Sequence, residues 1–312
     1  GDRGALRAGV HPRLLPGGRR VAEPAERAEV EAVWGPLPPE PGRDWRGILE
    51  AAARREIDVL FLVGVDPLRD HPDAALARRA LENVRVKVVV DPRLDPALEP
   101  FADCVLPAVP FVEKDGHFTD WEGRAQRVRP AREPLGLARP DWEIFAGLAA
   151  ACGGDLGFDT LEELREEAGS LLAPREAPEP PFEAPAAARP EPGDGLLLFT
   201  DPLLVDEGRL VDDAPELKAA LAEDAFVEVH PADAARLGLE DGGRALVRTD
   251  AGRAEVPVRV TPHVAEGAAF VPFNSRGLRA NVLLSGAFRA VAAIEPAGAR
   301  EAPAPVGGGG PG

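Results

Sequence analysis

The stretch 173–194, APREAPEPPFEAPAAARPEPGD, constrains the fold of this chain more than any other feature. Proline fixes φ and removes a backbone donor, so the run cannot continue a helix or a sheet ladder. It carries too few apolar side chains to offset the entropy of ordering it. It therefore reads as an extended linker that cuts the 312 residues in two. That agrees with a prior of about 150 residues per domain. The hydrophobic period differs on the two sides of the cut.

On the N-terminal side, residues 1–42 are rich in Gly and Pro and show little periodicity, with a turn at Leu14-Leu15-Pro16-Gly17-Gly18-Arg19. Trp45, Ile48, Leu49 and Ala52 then recur at helical spacing, with Asp44 as N-cap. Asp58 to Gly64 is a short continuous apolar run, the mark of a parallel strand covered on both faces. A helix from Pro72 to Asn83, capped by Asp70, leads to a second β-rich run, Val84 to Val90, stopped by Asp91-Pro92. This alternation predicts a right-handed βαβ crossover. Cys104-Val105-Leu106 is a third strand, and 111–129 is an irregular hairpin or loop broken by Gly116 and Gly123. Arg139-Pro140-Asp141-Trp142 opens a helix to about Cys152, and Gly153-Gly154 stops it. Another runs from Thr160 to Ala168, with Thr160 and Glu163 in capping-box spacing.

Beyond the linker the period becomes two. Strands are expected at Gly195–Thr200, Asp224–His230 and Ala268–Pro272. A helix follows at Pro231–Leu237, and a hairpin joins Arg244–Thr249 to Arg253–Val260 around Asp250-Ala251-Gly252. Short strands with little helix predict a small β-barrel. The expected layout is an α/β domain over 1–172, the linker over 173–194, a barrel over 195–296 and a disordered Ala/Pro/Gly tail over 297–312.

Charge and cysteine content exclude several functions. With 53 acidic against 36 basic residues the net charge is −17, which argues against nucleic acid or an anionic membrane surface as partner. Cys104 and Cys152 are the only cysteines, too few for an iron–sulfur cluster or a Cys-rich zinc site. No apolar run is long enough to insert into a membrane. The five histidines have no metal-binding spacing, and no GxSxG or Walker pattern occurs. No catalytic residue and no metal site are expected. The chain has no methionine and begins at Gly1, which favours a piece of a longer polypeptide over a processed chain.

Three places could bind a ligand. Gly64-Val65-Asp66-Pro67 ends the first parallel strand and Asp91 ends the second, where open α/β sheets hold nucleotides. An ordinary strand-to-helix turn would look the same. Glu113-Lys114-Asp115-Gly116-His117 offers His117 as an acid or base, or else a solvated turn. Asn274 follows a barrel strand and could meet a polar ligand or cap a turn.

The run Val63 to Leu68, with Val88-Val89-Val90-Asp91 and Ala102 to Ala108, resembles the molybdopterin oxidoreductase family. So do Glu113 to Asp120, Glu122-Gly123-Arg124-Ala125-Gln126 and Ala138 to Trp142, in the same order over about 90 residues. Residues 225–285 resemble the family's dinucleotide-binding barrel through Val227 to Ala234, Leu237 to Gly242 and Pro272-Phe273-Asn274, which implies a double-psi fold. Within the family, Arg3-Gly4-Ala5-Leu6, Leu14 to Gly17 and the form of Gly64 to Asp73 are most similar to the branch formed by the G subunits of bacterial NADH-quinone oxidoreductases (respiratory complex I).

That resemblance implies a non-catalytic C-terminal module whose molybdopterin fold is vestigial. Iron–sulfur clusters would lie in an upstream part, and other peripheral-arm subunits would be the partners, on the cytoplasmic side of the inner membrane. No cofactor is expected in the chain itself. Asp66 and Asp120 stand where the family has Asn, which exchanges an amide for an acceptor-only carboxylate. Positions matching family contacts are Gly64, Asp66, Pro67, Asp91, Lys114, Asp115, Gly116 and Asn274. One alternative is the dinucleotide-binding end of an active enzyme related to formate dehydrogenase or nitrate reductase, holding molybdopterin guanine dinucleotide. Another is an orphan nucleotide-binding module.

Overall fold

The computed structural model describes residues 2–173, 195–211 and 213–298. The linker beyond Ala173 and the tail beyond Gly298 lie outside the described residues. The chain groups into two compact units, Gly1–Leu68 with Leu76–Pro185, and Arg69–Ala75 with Ala186–Gly312.

The first unit is built on a three-stranded parallel sheet. Val59–Val63 pairs with Val86–Asp91, which pairs with Cys104–Pro107. The helices Trp45–Ala53 and Ala74–Asn83 pack on one face, where Leu49, Leu76, Ala80 and Leu81 meet Leu60, Leu62 and Val89. The Asp141–Ala151 helix lies on the other face, bringing Ile144 and Leu148 to Val88 and Val90. Local signals set the helix ends. The Asp44 carboxylate accepts from Gly47 N at 2.7 Å. Thr160 and Glu163 form the reciprocal capping box that opens Leu161–Leu171.

The first strand departs from expectation. It is not covered on both faces: Leu60 and Leu62 are buried, while Val59, Phe61 and Val63 are exposed. The Asp141–Ala151 helix reaches only the second and third strands, so the first has a bare side. The helix expected from Pro72 begins at Ala74, after a short turn of helix at Pro67–Asp70; between them Asp73 N donates to His71 Nδ1 at 3.0 Å. The N-terminal stretch also holds an unexpected helix, Pro24–Trp34. Only Val30 of it is buried, so it has no apolar stripe to read. An Arg27–Glu31 pair at 3.2 Å and Pro24 in the first turn support it instead. Within 111–129, Gly116–Thr119 and Ala125–Val128 form a regular antiparallel pair.

The second unit is a closed six-stranded barrel. Its order is Arg244–Arg248, Arg253–Val260, Val227–Val229, Ala268–Phe270, Leu196–Phe199 and Arg289–Pro296. Two neighbour pairs are parallel, Val258 with Val227 and Ala268 with Leu197, in an otherwise antiparallel circuit, as in a double-psi barrel. Alternate residues fill the interior, among them Leu198, Val227, Val229, Val247, Val256 and Ile294. The closing strand Arg289–Pro296 has no counterpart among the expected strands, since Ala290, Ala292 and Ala293 give it weak strand propensity. The expected strand Asp224–His230 narrows to Val227–Val229.

Gly252 turns the long hairpin, and a methyl group there would press into the carbonyl oxygen of Val282. Gly252→Ala is expected to destabilise the barrel by about 1–2 kcal/mol, the lower part of the overpacking range. A lowered urea midpoint with unchanged m-value would show it.

Candidate functional site

The sheet brings four of the sequence candidates to one place. Gly64, Asp66 and Pro67 follow the first strand, and Asp91 ends the adjacent second strand. Gly64 N donates to Val90 O at 3.0 Å. Gly64 has φ +65°, a conformation that favours glycine, so its role in the turn is conformational whatever else it does. Asp66 is buried at 1% exposure and accepts from Leu68 N at 2.9 Å through Oδ1, which holds the Pro67–Asp70 turn. Asp91, also buried, accepts from Arg93 N at 3.0 Å. The strand ends thus present two buried carboxylates.

Lys114, Asp115 and Gly116 belong to the Gly116–Thr119 hairpin and its approach. Lys114 is ion-paired with Asp141 at the start of the Asp141–Ala151 helix. Asp115 is held by Arg127 at 2.5 and 3.0 Å and by Arg165 at 2.5 Å. These guanidinium bonds, Arg127's first, hold the Asp115 carboxyl well below the usual carboxylate range. The residue ties the hairpin to the Leu161–Leu171 helix. A methyl on Gly116 would meet open space, so the fold does not demand glycine there. Among the described residues the acid–base reading of this turn gains no partner for His117, which sits on an exposed strand position.

An Asp115→Asn variant tests the tie. The folded-state pKa of Asp115 lies below the unfolded value of about 3.9, so its contribution is present above that value and is lost as pH falls through the folded pKa. The variant is expected to unfold at a lower temperature at pH 7. The two melting temperatures should converge towards pH 2, as seen in melts recorded across pH.

Asn274 lies in the barrel unit. It is buried, pairs with Arg279 across a two-residue hairpin and accepts from Glu207 N at 2.9 Å through its backbone carbonyl. Its Oδ1 and the neighbouring Ser275 Oγ are buried without a hydrogen-bond partner among the described residues. Beside them a cleft of about 640 Å³ is lined by Glu207, Lys218, Ser275, Arg276 and Arg279. Its cations meet acidic neighbours: Lys218 pairs with Glu207, and Arg276 lies 3.6 Å from Asp224 and 3.9 Å from Glu207.

Sequence reasoning passed over three buried polar residues of this unit. Arg69 donates to Glu207 O, and Asn281 Nδ2 donates to His71 O at 3.2 Å. Arg69 and His71 come from the Arg69–Ala75 segment, and the density of polar residues after Pro67 was the available signal. No group of three or more His, Cys, Asp or Glu able to hold a metal occurs among the described residues. Both cysteines are free and exposed.

A molybdopterin guanine dinucleotide carries a pyrophosphate, which the strand-end carboxylates do not fit, and a guanosine, whose guanine edge and ribose hydroxyls are donors that a carboxylate can accept from. A pyrophosphate needs donors or cations. Here Asp66 and Asp91 offer carboxylates, and Lys114 is already paired with an acid.

The family model for molybdopterin oxidoreductases matches residues 30–151, and the molydopterin dinucleotide binding domain matches residues 211–298. Among curated proteins, the chain is 37% identical over 284 residues to the G subunit of an NADH-quinone oxidoreductase of Mycobacterium bovis, covering 89% of this chain and 34% of that protein. It is 38% identical to the corresponding G subunit of Streptomyces coelicolor, covering 89% of this chain and 33% of that protein. It is also 29% identical to the alpha subunit of an NADPH-Fe(3+) oxidoreductase of Geobacter sulfurreducens, covering 91% of this chain and 34% of that protein. The chain thus spans about a third of the length of these relatives. In fold it is similar to acetylene hydratase from Pelobacter acetylenicus, with TM-score 0.52 and 17% identity over 80% of this chain and 46% of the other. The two matched regions, the parallel sheet and the six-stranded barrel place this chain in the molybdopterin oxidoreductase family.

Proposed function

We propose that this chain is the C-terminal module of the iron–sulfur G subunit of an NADH:quinone oxidoreductase complex. It acts there as a structural module with no catalytic residue of its own. Its molybdopterin-type fold is kept as architecture, and electrons pass through clusters carried elsewhere in the polypeptide. Its partners are other peripheral-arm subunits, on the cytoplasmic side of the membrane. No helix among the described residues is long and apolar enough to cross a membrane, which suits a peripheral place. The observation that carries the reading is the pair of buried carboxylates, Asp66 and Asp91, at adjacent strand ends where a pyrophosphate would need donors. The identity to NADH-quinone oxidoreductase G subunits over most of the chain supports the same assignment.

A second reading has one observation in its favour. Asn274 Oδ1 and Ser275 Oγ lie unpartnered among the described residues beside the barrel cleft, and a buried polar atom without a partner calls for a water, an ion or a ligand group to complete it. On that reading the chain is the dinucleotide-binding end of an active molybdopterin oxidoreductase.

Affinity purification of the tagged full-length polypeptide from its own cells separates the two. The structural reading expects it to arrive with a multi-subunit assembly that oxidises NADH and reduces quinone. Recovery as a soluble enzyme with its own substrate oxidation would favour the second.

A further inference from the structure

The bare side of the first parallel strand has a definite shape. Asp58 O accepts from Val86 N, and Gly64 N donates to Val90 O, both at 3.0 Å. Backbone groups alternate in direction along a parallel strand, so the even-numbered residues face the second strand. Val59, Phe61 and Val63 then turn their N–H and C=O groups towards the sheet edge. The same three side chains, 37–44% exposed, form the uncovered face. Among the described residues the strand is the end member of its sheet, so three residues there lack an edge partner and a cover together.

A free edge of this composition is a pairing and aggregation hazard, and it carries no lysine, proline or bulge to blunt it. All-parallel sheets persist when helices cover both faces. One side here is complete, with the Trp45–Ala53 and Ala74–Asn83 helices. On the other, the Asp141–Ala151 helix stops at the second and third strands.

We infer that Val59–Val63 is the docking edge for a parallel strand and an apolar-faced helix from the same polypeptide, outside these 312 residues. The inference rests on the proposed reading in taking the chain as part of a longer subunit. The relatives supply the material: each is about three times the length matched here. The gap also sets the chemistry of the occupant. It is a Val/Ile/Leu-rich strand and a helix stripe of the same kind, with no charge facing Phe61.

The test uses the full-length polypeptide. A photo-crosslinking p-benzoylphenylalanine replaces Phe61, and the crosslinked peptides are identified by mass spectrometry. The expected partner is a peptide of the same polypeptide lying outside residues 1–312. Crosslinks to a second copy, to another subunit or to solvent only would overturn the inference. Hydrogen exchange on the unaltered protein gives an arm independent of the substitution. If the edge is paired, the amides of Val59, Phe61 and Val63 exchange as slowly as those of Leu60 and Leu62. If it is open, they exchange at least about tenfold faster. The crosslink can fail in a polypeptide that still assembles with an NADH-oxidising complex, so failure here is distinct from failure of the proposed function.

Discussion

Leu198→Ala is expected to cost the barrel about 2–5 kcal/mol. Leu198 is 1% exposed and points into the interior from Leu196–Phe199. That strand pairs in parallel with Ala269 on one side and antiparallel with Ala290 on the other. Its neighbours Ala269 and Ala292 are small, rigidly placed and fully buried, so they cannot move in to fill the space. The loss would be read as faster native-state hydrogen exchange at Val227–Val229. A loss under about 1 kcal/mol would mean that the interior collapses around the gap and that the barrel is less tightly packed than described.

The second large effect is expected at Asp233. This buried carboxylate accepts from Gly267 N at 2.7 Å through Oδ2 and from Arg236 at 2.8 Å through Oδ1. It fastens the Pro231–Leu237 helix to the loop that enters the Ala268–Phe270 strand. Burial alone would push its pKa up, but the bonds from Arg236 and Gly267 outweigh it and hold the carboxyl below its ordinary value. Asp233→Ala leaves the Gly267 N–H without its acceptor, a loss of about 1–3 kcal/mol. The contribution is present above the unfolded pKa, about 3.9, and is lost as pH falls through the folded value. Variant and parent should therefore differ most at neutral pH and converge in acid. A constant difference at all pH values would assign the loss to packing instead.

Elements whose stability is local were legible in the sequence. Asp44 and Thr160 mark helix starts by their own side-chain chemistry, and both caps form. His230 likewise caps the Pro231–Leu237 helix, which begins and ends where the Pro and Gly signals put it. Elements that depend on distant partners were less legible. Arg289–Pro296 has alanine-rich strand chemistry and exists because two neighbouring strands hold it. Phe61 belongs to an apolar run that looks buried on both faces, yet the helix that covers its sheet stops one strand short. Among the site candidates, the strand-end position of Gly64, Asp66 and Asp91 follows from the βαβ pattern. The pairing of Asp115 with Arg165 links residues 50 apart and has no sequence signature.

The central claim is that this fold is retained as architecture, without the cofactor of its family. Elemental analysis of the purified full-length polypeptide for molybdenum, tungsten and iron tests it most directly. The account predicts iron with no stoichiometric molybdenum or tungsten. Near-stoichiometric molybdenum or tungsten would contradict it.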